Sequence, residues 1–322
     1  MRRRDFLKTA SASAAGLALA GCAGASTGGS GKAAGAADPL YEISLAEYSL
    51  HRALGNGEMD HLDFPRLARE EFGIGAVEYV NFFFDSADAG YVRRLKKRAA
   101  DAGVRNLLIM VSREGELGAA DEAARMQAVG NHKKWVEAAA ELGCHSVRVD
   151  ALGSGPPDAM RKQTADGLHR LCTFAEDYDT NVIVENHSEQ SADGAWVAAL
   201  IEEVDHPLAG TLPDFGNFCL DWSGEPWTSD CADAYDRYRG VREMMPYAEA
   251  VSAKSYAFDP ESGAETTIDY ERMMQIVTDH GYHGHVGIEY EGDQMPEYDG
   301  IRATKALLER TRAQFAENRR SG

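Results

Sequence analysis

A chain of 322 residues, 44% of them hydrophobic, carries enough apolar material to bury the core of one large domain. Its 52 acidic residues outnumber 33 Lys and Arg, and the resulting charge of −19 repels a phosphate backbone, which excludes nucleic acid as a partner. The five cysteines show no CxxC or Cys/His spacing of the kind a zinc module needs.

The first residues read as an address rather than as fold. Arg3-Arg4-Asp5-Phe6-Leu7-Lys8 is a twin-arginine pattern, and the small apolar run 10–20 behind it is too short to span a bilayer. Leu19-Ala20-Gly21-Cys22 resembles a bacterial lipoprotein processing signal, which implies cleavage before Cys22 and a lipid on its sulfur. Residues 1–21 are therefore expected to be a signal peptide and residues 22–38, rich in Gly, Ala and Ser, a flexible tether; residues 39–322 form the folded domain. The expectation is export by the twin-arginine route to the periplasm, with the membrane touched only through the lipid anchor at Cys22. Loss of residues 1–21 removes four basic residues and one acidic one, taking the net charge to −22. In an oxidising compartment a Cys219–Cys231 pair inside one loop stays open, whereas Cys144 and Cys172 read as buried small hydrophobes.

Eight strand-like runs follow, at residues 42–46, 76–80, 106–111, 146–151, 182–185, 210–214, 250–254 and 286–290. Helical patterns alternate with them at 64–72, 91–102, 123–142, 160–178, 195–204, 233–245, 270–280 and 301–315. Gly103, Gly143 and Gly281 stand just past three of these helices, where the C-cap favours glycine. The simplest architecture is α/β, a single-domain (β/α)8 TIM barrel. A doubly wound open sheet is the alternative, but the chain has no Gly-rich phosphate loop after the first strand.

In a barrel the strand ends gather at one mouth. The fifth run ends in Glu185, Asn186 and His187, the sixth in Asp214 and the eighth in Glu289, so three strands deliver three carboxylates suited to a divalent cation or to proton transfer. His51 follows the first strand, Glu78 lies on the second, Arg148 on the fourth, and Asn217 follows the sixth; with His187 these are the candidate substrate contacts. Lys254, on the seventh strand, needs a counter-charge inside a barrel and is placed to polarise a carbonyl or enediolate oxygen, so it joins Glu185 and Glu289 as a candidate catalytic group. The loops after the second, fourth and sixth strands carry Phe82-Phe83-Phe84, a Gly/Pro-rich stretch at 153–157, and Trp222 and Trp227, a cover that suits a sugar ring. The Phe run reads equally well as packing on the barrel rim.

Four segments, Val184-Glu185-Asn186-His187, Leu212-Pro213-Asp214-Phe215-Gly216-Asn217-Phe218, Ser252-Ala253-Lys254-Ser255-Tyr256 and Gly287-Ile288-Glu289-Tyr290-Glu291-Gly292, occur in this order within residues 41–315. Together they resemble the xylose-isomerase-like barrel superfamily of sugar isomerases, epimerases and sugar-phosphate isomerase homologues. The resemblance implies a divalent metal held by two glutamates, one aspartate and one histidine, with the glutamates doubling as acid and base. Carried onto this chain, Glu185 and Glu289 are acid/base groups and ligands, and Asp214 is a ligand. Two positions depart from the pattern. Ser252 stands where relatives place a histidine two residues before the lysine, and Asn217 where metal-binding relatives have a histidine three residues after the aspartate. His187 is then the candidate nitrogen ligand; otherwise the site keeps oxygen ligands alone, favouring Mn2+ or Mg2+ over Zn2+, or Lys254 fills the cationic role without a metal.

The function expected from these residues is a sugar isomerase or epimerase that moves a proton next to the carbonyl of a sugar or keto-sugar, with homo-oligomers open. A lyase or hydrolase of oxidised glycosides needs the same base, acid and enolate stabiliser. A non-catalytic carbohydrate-binding lipoprotein on an inactive barrel is the reading that the missing seventh-strand histidine supports.

Overall fold

A computed structural model describes residues 39–187 and 189–321; the expected signal peptide, tether and Cys22 anchor lie outside the described residues. The chain from Pro39 onward alternates strand and helix: β1 Glu42–Ala46, α1 His51–Gly55, α2 Phe64–Phe72, β2 Ala76–Val80, α3 Ala89–Asp101, β3 Arg105–Val111, α4 Glu122–Leu142, β4 Ser146–Val149, α5 Pro157–Ala175, β5 Asn181–Glu185, α6 Gly194–Val204 and β6 Ala209–Leu212. A hairpin of β7 Cys219–Trp222 and β8 Cys231–Ala234 interrupts the pattern. It resumes with α7 Arg237–Met244, β9 Val251–Ser255, α8 Tyr270–Asp279, β10 His285–Tyr290 and α9 Glu297–Ser321.

All seven pairings within the sheet order β6-β5-β4-β3-β2-β1-β10-β9 are parallel. Parallel bridges Thr211–Ala248 and Asp214–Ser252 join the two ends, with Ser252 N donating to Pro213 O at 3.0 Å and Phe215 N to Ser252 O at 3.2 Å, so the sheet curls into the expected (β/α)8 barrel. Strand side chains alternate across it. Leu108 and Met110 of β3 join Ala46, Val80, Ile183, Leu212 and Ala250 in one apolar cluster that fills the interior. Ile109 and Val111 face the other way, into the larger core under the helices. Among the described residues no helix is long and apolar enough to cross a membrane.

The predicted spans hold with local corrections. The seventh helix begins at Arg237 rather than 233, because Asp236 caps it by accepting from Arg239 N at 2.8 Å and residues 231–234 are drawn into the hairpin. β6 stops at Leu212 because Pro213 offers no N–H to continue the ladder. α9 is longer than the 301–315 pattern, running Glu297–Ser321. A Cys219–Cys231 disulfide, with Cα atoms 5.7 Å apart, staples the hairpin, while Cys144 and Cys172 are buried free thiols.

One carboxylate lies deep in the interior. Glu78 of β2 accepts from Ser44 Oγ at 2.6 Å, and its second oxygen is buried with no partner. It fits only because residue 287 is glycine: a Cβ there would overlap the carboxylate. Burial pushes the Glu78 carboxyl up to about 7, the Ser44 hydrogen bond opposing this. The folded state thus keeps a proton that the unfolded chain, at 4.5, releases, and stability falls as pH rises through the window between 4.5 and 7. Glu78→Gln cannot ionise. Its stability relative to the parent is expected to grow by about 3 kcal/mol between pH 4 and pH 8, measured by urea unfolding; a difference that stays flat with pH would contradict this origin.

Candidate active site

The mouth is assembled from the ends of β5, β6, β9 and β10. Glu185 is the last residue of β5, and the next side chain, Asn186, ties that strand to the segment after β6. Asn186 Nδ2 donates to Asp214 O and Asn217 O, both at 3.1 Å, and Asn186 Oδ1 accepts from Asp214 N at 2.8 Å. Asp214 then closes its own turn, Oδ1 accepting from Gly216 N and Asn217 N at 2.8 Å each. That turn packs so closely on β9 that a Cβ at Gly216 would overlap the Tyr256 hydroxyl and Lys254 Cγ. The other Asp214 oxygen, Oδ2, meets Ser252 of β9.

Ser252 and Lys254 of β9 share a face, as do Glu289 and Glu291 at the end of β10. Ser252 Oγ lies 2.7 Å from Asp214 Oδ2 and 2.7 Å from Glu289 Oε2. A hydroxyl carries one proton, so it donates to one carboxylate only; the other short contact needs a proton on the carboxyl. Lys254 Nζ is 2.7 Å from Glu291 Oε1 and 3.5 Å from Glu289 Oε2. On the opposite wall Arg148 Nη1 donates to Asp150 Oδ1 at 2.6 Å and Nε lies 2.6 Å from Glu185 Oε2. Asn217 Nδ2 reaches Glu185 Oε1 at 3.4 Å.

The structure therefore brings Glu185, Asp214, Glu289, Lys254, Arg148 and Asn217 together. Oxygens of the three carboxylates lie within 4.8 Å of one another, and among the described residues no histidine belongs to that group. His187 sits at the rim, its side chain 31% exposed, Nδ1 4.0 Å from Asp150 and its ring 4.7 Å from that of Trp227. His51 is held further out. Its Nδ1 is 2.8 Å from Tyr48 O and its ring stacks on Tyr48, beside Glu297, which caps α1 by accepting from Arg52 N and Ala53 N. Glu78 lies one layer beneath Glu289, against Gly287. Of the phenylalanine run, Phe84 is buried in the outer core, and Phe82 and Phe83 cover the interior cluster.

Electrostatics separate the two glutamates. Burial pushes Glu185 well above the ordinary carboxylate range despite Arg148, with Glu289 and Asp214 adding repulsion. Burial also opposes ionisation of Glu289, but Lys254 and the Ser252 hydroxyl outweigh it and hold this carboxyl below its usual value. Asp214 is raised to about 6, mainly by burial, against the pull of Lys254. Of the two carboxyls on the Ser252 hydroxyl, Asp214 therefore takes up a proton before Glu289 as the pH falls. Partial burial, with Arg148 and Lys254 nearby, lowers His187 from its ordinary value against the pull of Asp150, which favours the neutral imidazole.

A charge count tests the fit of a metal. Asp150, Glu185, Asp214 and Glu289 are buried beside two buried cations, Arg148 and Lys254, and Lys254 is shared with Glu291 as well, so carboxylates outnumber cations and a divalent ion would offset part of the excess. The grouped donors are all oxygen, a set that fits Mg2+ or Mn2+.

Asn186 and Ser252 are positioning residues whose roles no local stretch encodes: the partners of Asn186 lie 28 and 31 residues away, and those of Ser252 lie 38 and 37 residues away. Replacing Asn186 with Ala strands buried backbone groups of Asp214 and Asn217, and is expected to cost about 2–4 kcal/mol in chemical denaturation; a loss under about 0.5 kcal/mol would show that Asn186 does not hold the turn.

No curated protein matches this chain. Among solved structures, D-psicose 3-epimerase from Clostridium cellulolyticum H10 superposes with a TM-score of 0.64 at 13% identity, covering 84% of this chain and 98% of that one. The 3-keto-D-glucoside 4-epimerase of E. coli gives 0.61 at 17%, covering 84% and 99%. A Mycobacterium smegmatis protein of xylose isomerase-like TIM barrel type, solved in complex with magnesium, gives 0.59 at 17%, covering 85% and 97%. At these identities the likeness concerns the fold. Residues 65–314, most of the chain, match the family described as Xylose isomerase-like TIM barrel, and to that family the chain belongs.

Proposed function

We propose that this barrel is an isomerase or epimerase of a neutral sugar or keto-sugar, working by proton transfer at the carbon next to a carbonyl. The observation that carries the reading is the pair Glu185 and Glu289, on β5 and β10, whose surroundings push them toward opposite protonation states around one cluster. Two of the similar structures named above are sugar epimerases, which supports it.

Glu289, ionised beside Lys254, is the base: its oxygen takes the proton from the substrate carbon, and the C–H electron pair moves into the enediolate. Glu185 holds the proton that returns to the other face of that carbon in epimerisation, or to the neighbouring carbon in isomerisation, where the hydroxyl proton also passes from one enediolate oxygen to the other. Lys254, with its two carboxylate partners, stands as a fixed positive charge beside the enediolate oxygens. Arg148 and Asn217 orient Glu185 and, with His187 at the rim and His51 further out, are the proposed substrate contacts. Glu78, in the layer beneath, acts on substrate only through the charge it sets under Glu289. Glu185, Asp214 and Glu289 would hold a divalent metal, Mn2+ or Mg2+ before Zn2+, and when bound it supplies Lewis-acid charge next to the substrate oxygens. A phosphorylated sugar suits the site poorly, since both buried cations are already committed to carboxylates. The signal read at residues 1–22 would place this chemistry outside the cytoplasm, on a lipid anchor at Cys22.

The test is solvent deuterium exchange into free and 3-keto sugars, with metal analysis of the same preparation. Glu185→Gln and Glu289→Gln are each expected to lower exchange at least 100-fold, the scale of a lost acid or base, with one divalent ion per chain in the parent. Exchange by Glu289→Gln at the parent rate, or none with any sugar, would sink the reading. Exchange that survives complete chelation but disappears in Lys254→Met would assign the charge stabilisation to Lys254 instead of a metal.

A further inference from the structure

The hairpin between β6 and α7 is not needed to close the barrel, and it carries aromatic surface that the chemistry above leaves unused. Among the described residues the exposed large hydrophobics are Trp227, at 48%, and Leu152, at 37%, and both lie on loops that follow barrel strands at the mouth. Trp227 has a backbone φ of 67°, in the left-handed region that a bulky residue rarely enters. Leaving its indole half in water adds to that cost, and neither is recovered by packing in a core. Hydrogen bonds and a disulfide nonetheless frame the position. Ser229 N and Oγ both donate to Glu225 O, Ser223 N donates to Asp230 O, and the Cys219–Cys231 disulfide staples a hairpin whose second strand is exposed along its whole length.

The platform is continuous with the carboxylate cluster. From Glu185 contacts run through Arg148 at 2.6 Å to Asp150 at 2.6 Å, then to His187 at 4.0 Å, whose ring lies 4.7 Å from Trp227; Trp222 is 5.2 Å beyond. Trp222 Nε1 is buried without a partner, an unused hydrogen-bond donor next to the exposed ring. Flat aromatic faces with a few polar groups suit the apolar face of a sugar ring, and the acidic residues of the hairpin, Asp221, Glu225 and Asp230, disfavour an anionic ligand or lipid surface.

We propose that Trp227, backed by His187 and Trp222, is a stacking subsite for a second sugar ring, so that the ligand is a neutral glycoside of at least two rings rather than a free monosaccharide. This rests on the sugar reading of the carboxylate cluster but is tested without turnover. Binding of cellobiose, maltose and glucose to the intact, disulfide-bonded protein is followed by tryptophan fluorescence and calorimetry. At least one disaccharide is expected to bind tenfold or more tightly than glucose. Trp227→Gly, which relieves the left-handed backbone while deleting the ring, is expected to lose that tenfold preference with an unchanged circular dichroism spectrum, and Trp227→Phe to recover most of it. Cys219→Ser/Cys231→Ser, which frees the hairpin, should weaken disaccharide binding at least threefold. Equal binding of glucose and disaccharides, no disaccharide binding, or full affinity in Trp227→Gly would overturn the proposal. Trp227-dependent disaccharide binding without deuterium exchange would overturn the proton-transfer reading and leave this subsite standing.

Discussion

The constraint on which this site depends is an excess of buried negative charge. Asp150, Glu185, Asp214 and Glu289 are taken out of water around Arg148 and Lys254 alone, and desolvation makes each uncompensated carboxylate costly. Either protons or a dication must make up the difference. Protons alone would do so unequally: Lys254 and the Ser252 hydroxyl hold Glu289 below its usual value, whereas burial pushes Glu185 and Asp214 upward, although Asp214 shares both of those partners. The same imbalance that equips the mouth for a cation thus sets up an acid facing a base.

The backbone around the cluster is fixed by hydrogen bonds that leave little freedom to relax that charge. Asn186 holds the turn at Asp214 through three bonds, and Asp214 commits one oxygen to Gly216 N and Asn217 N. Gly216 and Gly287 act by having no side chain, the first admitting Lys254 and Tyr256 and the second Glu78. Ser252 is more than the loss of a histidine: its hydroxyl lies 2.7 Å from both Asp214 and Glu289 and so ties the two carboxyls together.

The loops above are organised by a different principle. Phe84 turns inward to the outer core, and Phe82 lies under the Arg113 guanidinium while covering the interior cluster with Phe83. Around Trp227 the chain does the opposite, holding an indole in the open by a disulfide and a turn. That contrast separates aromatic residues that the fold requires from one that it merely tolerates.

The order of strands and helices is legible along the chain, because apolar periodicity and the glycines after helices are local properties. So is the arrival of Glu185, Asp214 and Glu289 at one mouth, since parallel strands put their C-terminal ends together. The hairpin at 219–234 is not, because a short exposed strand made by cross-chain pairing and a disulfide has little apolar pattern of its own. Which groups touch is a property of the closed barrel. It set Arg148 against Glu185, Ser252 between two carboxylates, His187 beside Trp227 rather than within the oxygen cluster, and Glu78 a layer below. Those placements follow from barrel closure and register between strands tens to hundreds of residues apart, and protonation follows from the resulting burial, which no local stretch encodes.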